Sequence, residues 1–208
     1  MTSSSHRALT QIICLAVLVS SITPVVAQSI SAGERKHGFC ASCHGINGQS
    51  FKVNYPILAG QAAPYILRQL RDFKQGRRSD PNMDPVAAQL SEEDMRDLAA
   101  FFAAQEPHSS LPKADPTEVI RGRKKADAGQ CASCHLGRGA TLISQFPYIQ
   151  GQHRNYMVKQ LMDFRSGRRA NDSGVMHRIA QTMTDADIED LGSYFATIQL
   201  YSRAGKAR

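Results

Sequence analysis

The sequence Cys-x-x-Cys-His occurs twice in this chain of 208 residues, at Cys40, Cys43 and His44 and again at Cys131, Cys134 and His135. Two thiols three positions apart fall on one face of a helical turn. Each can add to a vinyl group of one haem, and the imidazole that follows reaches the iron from the same side. The pattern therefore reads as two covalently held c-type haems. Cys40, Cys43, Cys131 and Cys134 are the attachment residues, and His44 and His135 the proximal iron ligands. Two other chemistries use paired cysteines. A four-cysteine zinc site usually separates its pairs by about 15 to 20 residues, whereas Cys40 and Cys131 lie 91 positions apart. A thioredoxin-like dithiol predicts a βαβ setting and no histidine directly after the second cysteine.

The same offset of 91 carries much more than the motifs. Pro56 falls on Pro147, Gly60-Gln61 on Gly151-Gln152, Tyr65 on Tyr156, and Gln69-Leu70 on Gln160-Leu161. Asp72-Phe73 and Gly76-Arg77-Arg78 likewise meet Asp163-Phe164 and Gly167-Arg168-Arg169. After a two-residue insertion, Ser91, Asp94, Leu98 and Phe102 align with Thr184, Asp187, Leu191 and Phe195. This is a tandem duplication. Residues 106–116, EPHSSLPKADP, have the composition of a stiffened linker. The expected organisation is a leader over 1–27, a first domain over 28–106, a linker over 107–116 and a second domain over 117–208. Each domain is small for a self-sufficient core, and a covalently held porphyrin offsets that shortage.

Each repeat predicts three helices joined by long loops. The first runs into the motif, over about 32–41 and 118–132. The second spans 63–75 and 154–166, where Leu67, Leu70 and Phe73 match Val158, Leu161 and Phe164 at helical spacing. The third opens on Ser91 before Glu92-Glu93-Asp94 and on Thr184 before Asp185-Ala186-Asp187, each a capping oxygen followed by acids in the first turn. No alternating strand pattern occurs, so the fold class is all-α.

The iron's other face decides between electron transfer and chemistry on a bound molecule. Met83 and Met176 align across the insertion in otherwise divergent loops, which marks them as distal ligands. A thioether is a soft donor that favours ferrous iron and raises the potential. His177 adjoins Met176 and is the rival ligand, while Met95 and Met183 read as core. His37, His108 and His153 have no counterparts in the other repeat and read as surface or linker residues. The carbonyls of Pro56 and Pro147 are placed to accept from the proximal imidazoles. Arg77-Arg78 and Arg168-Arg169 either hold haem propionates or end a helix in solvent.

Residues 1–27 read as a secretory signal, with a polar start at His6 and Arg7, an apolar stretch over 8–19, and Val25-Val26-Ala27 before the cut. Cys14 leaves with it. The mature chain then keeps four cysteines, all in the motifs, and no pair for a disulfide. Export to the periplasm suits haem c. Residues 28–113 carry ten bases against nine acids and residues 114–208 fourteen against nine. Such a basic half steers an acidic protein partner or touches a membrane surface. The export signal and the lack of interleaved aromatics disfavour nucleic acid.

The chain resembles the cytochrome c4 family, exported dihaem cytochromes built from two class I cytochrome c domains. The resemblance rests on both motifs, on Pro56-Ile57-Leu58-Ala59-Gly60-Gln61 and Tyr65, on Gln69-Leu70 to Gly76-Arg77, on Met83-Asp84-Pro85 and on the capped last helices. It implies two haems ligated by His and Met and a non-enzymatic electron carrier, at times at the membrane surface. The expected partners are a terminal oxidase, a cytochrome bc1-type donor or a flavoprotein. The sequence departs from the pattern at Met176-His177-Arg178 and at Leu136-Gly137-Arg138. Related layouts serve as the dihaem subunit of flavocytochrome c sulfide dehydrogenase, which is the alternative function. A dihaem peroxidase is the reading of a different class and needs one open iron.

Overall fold

A computed structural model describes residues 25–107, 112–135 and 146–199. Among these the chain is helical, without strands. Leu136-Gly137-Arg138, His108 and nearly all of the leader lie outside the described residues.

In the first unit, α1 (Val25–Lys36) leads into α2 (Gly38–His44), which carries the first motif. Then come a short 3-10 turn (Ile46–Gly48), α3 (Ala63–Lys74), α4 (Met83–Gln89) and α5 (Glu92–Ala104). The second unit repeats the order with α6 (Pro116–Ala128), α7 (Ala132–His135), α8 (Arg154–Arg165), α9 (Val175–Ala180) and α10 (Asp185–Ala196). The last helix of each unit is its hub: α1 and α3 pack on α5, and α6 and α8 on α10. Ile66, Leu98, Phe101 and Phe102 fill the first core, and Leu161, Phe164, Ile188, Leu191 and Phe195 the second.

The capping boxes form as the sequence predicts. Asp94 N–H donates to Ser91 Oγ at 3.0 Å while Ser91 N–H donates to the Asp94 carboxylate at 2.9 Å. Thr184 and Asp187 repeat this at 3.1 and 2.9 Å. Ion pairs then tie the first helix of each unit to the hub, Lys36 to Asp94 and Asp97, and Arg121 and Lys125 to Asp190 and Asp187. At those crossings a side chain would not fit. A Cβ on Gly33 would lie 2.2 Å from the Asp97 carbonyl oxygen, and one on Gly122 2.0 Å from that of Asp190.

Three helices per unit is too few. The predicted first helix divides at His37 into α1 and α2, and that of the second unit into α6 and α7. The loops that carry Met83 and Met176 are helical as well, as α4 and α9. Both are shorter than two turns, so no apolar period is long enough to read. Local hydrogen bonds start them. The Asp80 carbonyl accepts from Met83 and Asp84, with Pro85 in the first turn where its missing N–H costs nothing. The Asp172 carboxylate accepts from Gly174 and Met176. The predicted linker ends inside α6, because Asp115 caps that helix at Thr117 N–H and Pro116 is its first residue.

Candidate functional site

Cys40 and Cys43 lie one turn apart on α2, with His44 closing the helix before Gly45 turns the chain at φ 74°. Cys131, Cys134 and His135 repeat this around α7. All four thiols are free and half-buried, and burial pushes those of Cys40 and Cys131 above the usual thiol range. The two pairs do not converge. Among the described residues no three His, Cys, Asp or Glu side chains gather as a metal ion would require, which removes the four-cysteine zinc reading.

Both imidazoles are buried, and both make the predicted bond. His44 Nδ1 lies 2.9 Å from the Pro56 carbonyl oxygen and His135 Nδ1 2.9 Å from that of Pro147. A carbonyl oxygen only accepts, so Nδ1 carries the proton in each ring and Nε2 keeps its lone pair. Burial draws both pKa values down, against the lift from the proline carbonyls, and keeps the rings neutral. An aromatic edge steadies each ring, Tyr55 at 6.2 Å from His44 and Phe146 at 6.1 Å from His135. Those two were missed in the sequence, although each directly precedes the paired proline.

Both motifs open onto one continuous cavity of about 1670 Å³, which Met83 and Met176 also line. A pocket for one drug-sized ligand holds ~300–1,000 Å³, so this one has room for two. His177 is not part of its wall. Its Nδ1 lies 2.6 Å from the Phe164 carbonyl and its Nε2 2.8 Å from the Gln181 amide, so both nitrogens are engaged elsewhere. Met95 is buried in the first core and Met183 in the second, as read from the sequence.

Across the middle of the cavity the two units meet with reciprocal contacts. Arg78 Nη1 donates to Gln69 of its own unit at 2.8 Å, while Nη2 donates to Tyr156 Oη and Gln160 Oε1 of the other at 3.0 and 2.9 Å. Arg169 returns the set to Gln160, Tyr65 and Gln69 at 2.6, 3.0 and 3.0 Å. Each guanidinium lies over the ring of Phe73 or Phe164. Residue i touches j of the other unit and j touches i, which is the isologous arrangement of a two-fold dimer. Burial pushes the Tyr65 phenol up, and the facing Arg169 and Arg78 more than offset it, so it sits below its ordinary value.

The two arginines of each pair have different fates. Arg77 and Arg168 fold back on Asp72 and Asp163, whereas Arg78 and Arg169 are buried, bonded to amides and phenols and, among the described residues, paired with no carboxylate. Gln69 Nε2 and Arg68 Nε, also on the cavity wall, are buried donors without an acceptor. This donor set fits a ligand that brings its own carboxylates. His153 is no mere surface residue either, since its Nε2 meets the Ser50 carbonyl of the other unit at 2.8 Å. His37 stacks on Phe101.

A helical chain with two Cys-x-x-Cys-His turns facing a shared, donor-rimmed apolar cavity is a dihaem c-type cytochrome, with both haems held covalently. Residues 35–105 match the family model described as cytochrome c. Cytochrome c4 of Pseudomonas aeruginosa is 38% identical over 81% of this chain and 88% of its own length. The solved structure of reduced recombinant cytochrome c4 from Pseudomonas stutzeri superposes with a TM-score of 0.75 at 35% identity, covering 82% of this chain and 98% of that one. A relative from Stutzerimonas stutzeri named thiosulfate dehydrogenase electron acceptor is 34% identical over 76% of this chain and 78% of its own. The chain belongs to the cytochrome c4 family. Its work is electron transfer with redox partners. Among the described residues no helix is long and apolar enough to cross a membrane.

Proposed function

We propose that this chain is a periplasmic electron carrier with two closed irons, delivering electrons to a terminal oxidase or a similar acceptor without being an enzyme itself. Cys40 and Cys43, and Cys131 and Cys134, form the thioethers. His44 and His135, with Met83 and Met176, would be the residues that ligate the two irons. Residues 1–27 are the export signal, 28–106 and 117–208 the two haem domains, and 107–116 the linker between them. The observation that supports this best is that each half of the cavity offers an imidazole with a free Nε2 lone pair and, at the aligned position, a thioether.

Bound haem supplies a one-electron couple between ferric and ferrous iron. Pro56 and Pro147 hold the imidazole tautomer and aim Nε2. Met83 and Met176, as soft donors, favour the ferrous state. Arg78, Arg169, Arg68 and Gln69, at the rim the units share, would hold haem propionates by hydrogen bonds, charge-assisted from the arginines.

A second reading takes support from the relative named as an electron acceptor of thiosulfate dehydrogenase. In it, the chain receives electrons as the haem partner of a dehydrogenase, such as the flavoprotein of a sulfide-oxidising complex. Spectra of the native protein under carbon monoxide test the closed irons, since rapid binding at either haem contradicts two His/Met centres. Copurification of a stoichiometric dehydrogenase would favour the second reading over the independent carrier.

A further inference from the structure

Met83 opens α4 and Met176 is the second residue of α9, yet the main chain beneath the two is held in different ways. In the first unit main chain holds main chain. The Asp80 carbonyl accepts from Met83 N–H at 3.0 Å and from Asp84 N–H at 2.9 Å. Side chains brace the same turn: Asp84 accepts from Ser79 Oγ at 2.6 Å and from Asp80 N–H at 3.0 Å, and the Asp80 carboxylate accepts from Asn82 N–H at 3.0 Å. In the second unit a side chain takes over. Met176 N–H donates to one oxygen of the Asp172 carboxylate at 2.6 Å, while Gly174 N–H donates to the other at 3.1 Å.

The bend between Asp172 and Met176 is not one that a chain keeps by itself. Ser173 and Gly174 are both left-handed, at φ 61° and 74°. A left-handed serine persists only where its surroundings fix it, and the Asp172 carboxylate spans the bend. The main-chain turn bond there, from Val175 N–H to the Asp172 carbonyl, is long at 3.4 Å. Arg178 closes the loop only on itself, from its N–H to the Gly174 carbonyl at 3.0 Å and from Nη1 to the Ser173 carbonyl at 3.3 Å. Asp172 and Met176 both line the cavity.

We propose, on the reading of Met176 as the second iron's distal ligand, that Asp172 is its positioning residue: the carboxylate seats Met176, a task that main chain performs for Met83. The two irons then differ in how firmly they are closed. Closure of the second depends on one side chain, so an outside donor enters there when that side chain is lost. Asp172 is also a negative charge facing His135, where burial lowers the imidazole's pKa and the Pro147 carbonyl and Asp172 work against it. Charge and seating act on the potential with opposite signs. Removing an anion disfavours ferric iron and raises the potential, whereas losing a soft thioether lowers it.

The test uses the haem-loaded full chain in the ferric state, with imidazole as the entering donor. The iron-shifted methyl resonances of the ligating methionines report each centre separately, and potentiometric titration gives both potentials. In Asp172→Ala the second haem should lose its Met resonance, its potential should fall, and imidazole should bind there at least about tenfold more tightly than in wild type. Asp172→Asn keeps one of the two acceptors and should fall between wild type and Asp172→Ala. It carries the test if the alanine variant does not accumulate folded. Asp80→Ala, which spares the carbonyl that holds Met83, should leave imidazole binding at the first haem within about threefold. A Met resonance retained in Asp172→Ala overturns the proposal, and a raised potential beside it makes Asp172 a charge near the iron and nothing more. Equal losses in Asp80→Ala and Asp172→Ala overturn it as well, because the two loops would then be held alike. Met176→Ala separates the two levels. If it leaves the second haem's spectrum unchanged, the ligand reading fails and Asp172 with it; if it abolishes a Met resonance that Asp172→Ala retains, only the role of Asp172 fails.

Discussion

Gln61 is bonded at both ends of its carboxamide to one residue of the other unit, donating to the Tyr148 carbonyl at 2.8 Å and accepting from Tyr148 N–H at 2.9 Å. Gln152 does the same to Ile57 at 3.0 and 2.9 Å. Ile57 and Tyr148 are themselves aligned in the repeat. A side-chain amide mimics a peptide group, so each unit extends the other's main chain by one pair of bonds. The two domains are therefore held by fixed geometry, not only by their linker.

Replacing Gln61 with Leu leaves the Tyr148 N–H and carbonyl at a mostly closed interface without partners. Each orphaned group costs about 1–3 kcal/mol, so a loss of about 2–4 kcal/mol is expected. Gln152→Leu should cost about the same. The double variant should lose less than the sum, because the first break already opens part of the contact that the second depends on. Thermal unfolding of the haem-loaded protein checks all three.

The repeat made every one of these residues visible as a matched column, and none of them visible as a contact. Gln61, Tyr65, Gln69 and Arg78 each pair with a residue in the other unit that its own sequence neighbourhood does not mention. Only the two-fold packing creates the partner, so spacing had no way to show it. Much of the local chemistry was readable: the motif turns, the proline carbonyls behind His44 and His135, and the capping boxes. The short α4 and α9 were not, because turn hydrogen bonds from Asp80 and Asp172 start them in place of an apolar period.

Arg78 and Arg169 are buried positive charges on the wall of the cavity. A cation near the iron disfavours the ferric state, so removing one lowers the potential. Arg78→Gln should lower at least one haem potential by on the order of tens of millivolts, read by potentiometric titration. Arg77→Gln should shift it less, since the Asp72 carboxylate already neutralises Arg77.

Met83→Ala should leave the haem attached, because the thioethers do not involve it. Its iron then takes water or another side chain, the Met-ligated spectrum of that centre disappears and its potential falls. An unchanged spectrum refutes the assignment. His177→Ala should change neither potential, since its ring is bonded to Phe164 and Gln181 and turned from the cavity.

Lys36 lies 2.8 Å from Asp94 and 2.8 Å from Asp97, tying α1 to α5. Its two hydrogen-bonded carboxylates push its pKa up to about 12. Lys36 and then Ser91 hold Asp94 far below the usual carboxylate range. Burial works against the Asp97 charge, yet Lys36 and Ser29 bring it below its ordinary value. The two acids therefore contribute stability above their unfolded pKa near 3.8, and lose it as pH falls through their lower folded values. Lys36 contributes fully below 10.5 and loses its share as pH rises through about 12. Because its side chain is 35% exposed, solvent screening limits the effect of Lys36→Met at about pH 7 to roughly 1 kcal/mol. Unfolding free energies of wild type and variant, from denaturant titrations, should differ by that amount between about pH 5 and 10, and the gap should narrow below about pH 3.8 and close only once the folded Asp94 and Asp97 are themselves protonated. A gap that persists in acid would assign the role of Lys36 to packing of its aliphatic stem and not to its charge.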